Sequence, residues 1–407
     1  MNETDNRTPL RELENRHERC RALLAAMMPE AGGLLISGTS TLFYLTGTAA
    51  NGVFWLPRRG KPVLAVRKGL ERAGLESCLP SIVAFRSFRD LAPLFAAEGS
   101  PLTPVIAVDM AGTSWETGRM LMERLHGRTF VPAEGVLSRA KAIKSSWELA
   151  RMRESGNRLY RSQRMELPER IHPGMTELAI ASTLWSCCFA LGHCGPQEAG
   201  MQGSGVFLGH IAAGNNGNYP SAYDGPVGLR GTHPASPFMG SADCIWEEGM
   251  LLTVDTGFNH HGYLADRTQV YFAGNERDIP EAAHKAHDAA MTLGKNAATM
   301  LRPGAIPSAI YKNILTQAEA AGFAKGFMGL GDNQVRFLGH GIGLTVSEWP
   351  IITRRSTEPL QVGMCIALEP KIGIPGVGMV GVENTFEITE DGAVSLTGDE
   401  NGILCLG

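Results

Sequence analysis

Residues 250–274 read MLLTVDTGFNHHGYLADRTQVYFAG. Two runs rich in β-branched and aromatic residues flank a short Asn/His/His/Gly connection, which is the pattern of a β-hairpin. With Phe258 closing the turn opposite Tyr263, counting back along both strands brings Asp255 opposite Asp266. Like charges opposed on one sheet face are destabilising, and a cation between them removes the penalty. A register off by one residue would instead send the two side chains to opposite faces. The pattern recurs in MCIALEP, KIGIPGVG and MVGVENTFEIT (364–389), where a turn centred at Gly376 sets Glu369 opposite Glu383. In FLGHGIGLTVSEWP (337–350), His340 lies between glycines that let the backbone pass close to a bulky or charged neighbour. Four carboxylates and an imidazole suit hard or borderline divalent ions, and a carboxylate set of this size suggests a dinuclear centre.

Working outward, 407 residues suit two domains. A net charge of -4 without a basic run excludes a nucleic-acid binder that relies on phosphate neutralisation. No apolar signal core or membrane-length run occurs, so a cytoplasmic protein without membrane partners is expected. The eight cysteines form no CxxC pair and are expected to be reduced thiols. An amphipathic helix over 10–28, the short apolar runs GGLLISG, NGVFWLP, KPVLAVR and VIAVDM, and the helical SWETGRMLMERL predict an α/β domain over 1–140. A second, α+β domain is expected over 147–407, opening with a helix capped by Ser145 or Ser146 with Glu148 in its first turn. Helices follow near 148–166, 175–191, 280–300 and 307–321, and the Gly/Asn/Pro-rich tract 199–243 is expected to be an active-site loop system. Trp55, Trp185 and Trp246 are read as core packing.

VDTGxxxxGYxxDRT, GHGIGxxxSExP, LEP and VENTFEIT resemble the pita-bread metallohydrolases, the group of methionine aminopeptidase, Xaa-Pro aminopeptidase, prolidase and creatinase. TSTLFYLTG and the strands after it also resemble the N-terminal domain of creatinase, prolidase and Xaa-Pro aminopeptidase. The resemblance implies a creatinase-like α/β domain followed by a pita-bread catalytic domain, and a homodimer. It also implies two divalent ions (Mn, Co, Fe or Zn) held by Asp255, Asp266, His340, Glu369 and Glu383. The implied chemistry is attack on a carbonyl carbon by a metal-bridged water, with Glu369 as ligand and general base.

The family's usual histidine seven residues after the metal-binding one is Ser347 here, although Glu348 and Pro350 of that motif are retained. No histidine occurs in 214–226, and Gly381 stands where arginine is common. Glu348 and His210 are therefore taken with Glu369 as catalytic candidates. His233, His260 and His261 are further substitutes, the last two read as exposed turn residues, and Arg336 is a candidate for an anionic substrate group. The expected activity is that of a Xaa-Pro aminopeptidase or prolidase-like peptidase on small peptides. The alternatives are a C–N hydrolase or lyase acting on a small non-peptide molecule, and a non-catalytic binding module.

Overall fold

The computed structural model describes residues 6–195, 197–198, 205–206 and 209–407, and the chain divides into two compact units between Lys141 and Ala142. The N-terminal unit is a six-stranded mixed sheet in the order Ile82–Ala84, Val63–Lys68, Asn51–Pro57, Gly33–Ile36, Val105–Val108, Thr129–Pro132. Leu35, Val53, Trp55, Val63, Ala65, Ile106 and Val108 project from it into a core closed by Leu91, Phe95 and Leu121. The Leu10–Met27 helix buries Leu13, Cys20 and Leu24 on one stripe, with Arg16 and His17 beside them. Arg16 is satisfied there by Glu12 at 2.8 Å and by the Tyr44 carbonyl at 2.8 Å.

The second unit opens as the capping signal requires. The Ser145 hydroxyl accepts from the Glu148 amide while the Glu148 carboxylate accepts from the Ser145 amide, starting the Ser146–Arg161 helix. That helix and Glu177–Ala190 cover one face of a four-stranded sheet in the order Leu404–Leu406, Tyr263–Ala273, Leu251–His260, Gly209–Ala213. A five-stranded sheet (Glu348–Thr353, Phe337–Gly341, Cys365–Leu368, Asn384–Thr389, Gly392–Ser395) and a two-stranded ribbon (Lys371–Ile374, Gly378–Gly381) complete it. The Glu281–Met300 and Pro307–Ala320 helices pack with these strands in a second core. Among the described residues, no helix is long and apolar enough to cross a membrane.

The first hairpin departs from the expected register. Its connection is only His261 and Gly262, at φ +52° and +89°, as a type I′ turn requires, and His260 stands opposite Tyr263. Asp255 therefore faces Thr268, and Asp266 faces Gly257. A displacement of two residues preserves the face, so the aspartates remain diagonal neighbours on one side. That side also carries Leu251, Val270 and Phe272 into the second core, while Leu252, Val254, Phe258 and Tyr271 point the other way. The second hairpin keeps the expected register through both of its ladders, Cys365↔Glu387 to Leu368↔Asn384 and Lys371↔Gly381 to Ile374↔Gly378. Glu369 and Glu383 fall at the junction between them.

Part of the 199–243 tract, residues 199–204, 207 and 208, lies outside the described residues. The rest includes the Gly209–Ala213 strand, which its glycine and two alanines hide from a periodicity reading, followed by irregular chain. All eight cysteines are free thiols. Trp55 and Trp246 are fully buried, and Trp185 packs against the core beneath the four-stranded sheet.

His17 gives the N-terminal unit an acid-sensitive element. Burial pushes its pKa down to about 4, and its Nε2 sits 2.7 Å from the Leu45 carbonyl. The neutral ring is favoured in the folded state, so the contribution is complete above the unfolded value of about 6.5 and is lost as pH falls toward 4. Lowering the pH from 7 to 4.5 is expected to cost the unit about 2.5 kcal/mol through this residue. Urea unfolding of the protein and of His17→Gln at both pH values measures it, with the variant expected to lose less.

Candidate metal centre

Five side chains meet where the two hairpins and the His340 strand converge. The Leu251–His260 strand presents Asp255 between Thr268 on one side and His210 on the other. An isolated bridge from Thr268 to Glu383 joins this sheet to the second hairpin. The Asp266 amide and carbonyl both bond the Thr385 hydroxyl, at 2.8 and 3.0 Å, which fixes the two carboxylate-bearing segments together. His340 Nε2 lies 3.5 Å from Glu369 Oε1 and 4.0 Å from Glu383 Oε1, and its Nδ1 is 3.0 Å from the Gly341 carbonyl. Donor atoms of Asp266, His340 and Glu383 all lie within 4.8 Å of one another. Glu383 Oε1 is buried without a hydrogen-bond partner, which is an acceptor awaiting a cation.

One residue at the centre was missed in the sequence. Lys371, fully buried, places its ammonium 2.6 Å from Glu383 Oε2, 3.0 Å from Glu369 Oε2 and 3.2 Å from Asp255 Oδ2. The signal was available, because Lys371 and Gly381 each stand two residues from a glutamate and share their face of the hairpin. A Cβ at Gly381 would lie 2.5 Å from the Pro370 carbonyl oxygen, 2.6 Å from Lys371 Cα and 3.0 Å from its Cγ, so the backbone at φ +143° admits only glycine opposite the lysine.

The electrostatics follow from burial. Burial would push Asp255 up, but Lys371 beside it outweighs this and holds the carboxyl at about 2. Asp266 lacks such a contact, and burial together with Asp255 pushes it up to about 7. Burial and Asp266 raise Glu383 well above the carboxylate range. Burial alone would neutralise Lys371, yet Asp255, Glu369 and Glu383 together hold its ammonium protonated. A divalent ion on the Asp266 side would supply the missing charge.

The chain belongs to metallopeptidase family M24. That family's model matches residues 150–390, and the creatinase/prolidase N-terminal domain model matches residues 16–143. A probable dipeptidase PepE of Mycobacterium bovis is 27% identical over 394 residues, 92% of each chain. A Xaa-Pro dipeptidase of Pyrococcus furiosus is 34% identical over 193 residues, 46% of this chain and 51% of the relative. Among solved structures, a Xaa-Pro dipeptidase from Bacillus anthracis superposes with a TM-score of 0.81 over 97% of this chain and 100% of its own, at 18% identity.

The other candidates separate by environment. His210 stands directly across from Asp255, its Nδ1 buried without a partner, and burial lowers its pKa. Its ring lies 5.9 Å from Tyr223, which stacks on Phe238 at 4.8 Å. His233 is exposed in a tight turn, its Nδ1 accepting from the Ala235 amide. His260, expected to be exposed, is buried and stacks on the exposed His261 at 4.0 Å, because the two-residue turn keeps it inside the ladder. Arg336 and Ser347 are exposed. Glu348 is committed to support: Oε2 pairs with buried Lys144 at 3.1 Å, and Oε1 accepts from the Leu344 and Thr345 amides at 2.9 and 3.2 Å. It thereby fixes the loop that follows His340. Glu348→Gln leaves Lys144 buried without a counter-charge and is expected to lower stability by about 3–5 kcal/mol, read as a shift in the urea midpoint at unchanged m-value.

Proposed function

We propose that the protein hydrolyses amide bonds of short peptides, X-Pro dipeptides foremost, with a divalent ion held by Asp266, His340, Glu369 and Glu383. The carrying observation is the buried convergence of these donors around the unpartnered Glu383 Oε1. The full-length likeness to a probable dipeptidase and the catalytic-domain likeness to a Xaa-Pro dipeptidase support the substrate class. When bound, the ion would supply Lewis acidity to a carbonyl oxygen and lower the pKa of a water.

The chain's own groups supply the rest. The Glu369 carboxylate, beside His340, accepts the proton of the attacking water. His210 is neutral at pH 7 because burial disfavours its charge, and its unpartnered Nδ1 sits on the Asp255 face where it can bond a substrate amide. Tyr223 and Phe238 line its flank with aromatic surface suited to a prolyl ring. Glu348 acts as a positioning residue through the 343–345 loop.

A second reading, the same centre cleaving a C–N bond in a small non-peptide molecule, draws on the exposed Ser347 and the absence of histidine from 214–226. One missing electrostatic donor typically costs about two to three decades in rate. X-Pro dipeptides and longer X-Pro peptides, incubated with and without Mn²⁺ or Co²⁺, separate the readings. Metal-stimulated release of proline or of the first residue is expected, with His210→Ala reducing kcat by about two decades at unchanged metal content. A metal-loaded protein inert to the whole panel would remove the peptide reading.

A further inference from the structure

We infer that Lys371 is a resident cation in one half of this centre, so that the protein takes a single divalent ion, on the His340 side. The inference rests on the metal-centre reading above and specifies its stoichiometry. An ammonium has three N–H donors, and Lys371 meets three carboxylate oxygens, on Glu383, Glu369 and Asp255. The remaining oxygens of those carboxylates divide the site. Both oxygens of Asp255 are already engaged, Oδ2 by Lys371 and Oδ1 by the Thr268 hydroxyl at 2.7 Å. Glu369 and Glu383 both turn Oε1 toward His340 Nε2. The donors left are Asp266, His340, Glu369 and Glu383, enough for one ion with water completing its shell. Asp255, first of the five implied ligands in chain order, serves the lysine instead.

Lys371 is not a side chain that could swing aside for a second ion. It is fully buried, its carbonyl accepts from the Met328 amide at 2.8 Å, and its strand is registered against Gly378–Gly381. Opposite it stands Gly381, whose Cα position a side chain could not extend without meeting the Pro370 carbonyl and the lysine itself. A second divalent ion would have to displace the Lys371 ammonium from three carboxylate oxygens 2.6, 3.0 and 3.2 Å away, or share those oxygens with a like charge.

The test counts metal. Protein treated with chelator, reloaded with Mn²⁺ and desalted is assayed by elemental mass spectrometry, beside calorimetric titration and the electron paramagnetic resonance of bound Mn²⁺. The wild type is expected to hold one equivalent with the six-line spectrum of an isolated ion. Lys371→Gly, which removes the charge and opens its space, is expected to hold two, with a spin-coupled spectrum. Two equivalents in the wild type would overturn the inference, as would a folded Lys371→Gly that still holds one. If that variant does not fold, the wild-type count alone decides. No metal in either protein would overturn both this inference and the metal-dependent reading, whereas one equivalent in a protein inert to X-Pro peptides would remove only the peptide reading.

Discussion

Four carboxylates packed together in a protein interior keep their charge only if cations accompany them, because burial withdraws the water that would otherwise solvate them. The catalytic unit is organised around that requirement. Lys371 answers it for Asp255 and for one oxygen of each glutamate. Asp266 and the orphaned oxygen of Glu383 are left with unmet electrostatic demand, an imbalance that a cation on the His340 side would relieve.

The strands are arranged to make this concentration of charge tolerable. In the first hairpin the aspartates share their face with Leu251, Val270 and Phe272, and the opposite face is given to apolar and supporting contacts. Arg267, next to Asp266 in sequence, points to the opposite face, where Gln163, Gln269 and the Thr397 and Glu400 carbonyls satisfy its guanidinium without a carboxylate. The neighbouring buried pair, Lys144 with Glu348, lets the 343–345 loop follow His340 without leaving its amides unpaired. Threonines complete the scaffold, Thr268 tying Asp255 to Glu383 and Thr385 tying Asp266 to the second hairpin.

Much of this was legible in the chain because strand side chains alternate with a period of two. That period placed both aspartates on one face even though the first hairpin's closing pair was set two residues short. Polar His261 and Gly262 take the positive φ of the tight turn, and His260 remains in the ladder. The Ser145/Glu148 capping box, the helices and the second hairpin's register follow from equally local rules. The Gly209–Ala213 strand was illegible because its side chains carry little periodicity, and its pairing with the Asp255 strand exists only in the folded sheet.

The two-unit organisation, the hairpins and the candidate ligands are legible in the chain alone, since propensity, capping and alternation act over a few residues. Only the tertiary structure decided how those ligands are shared. Lys371 reads as one more strand residue until Asp255, from the other hairpin, joins Glu369 and Glu383 around its ammonium, and Glu348 reads as part of a catalytic motif until Lys144, about two hundred residues earlier, claims its carboxylate. Charge compensation depends on distance in space and on exclusion of water, and neither is fixed before the chain has folded.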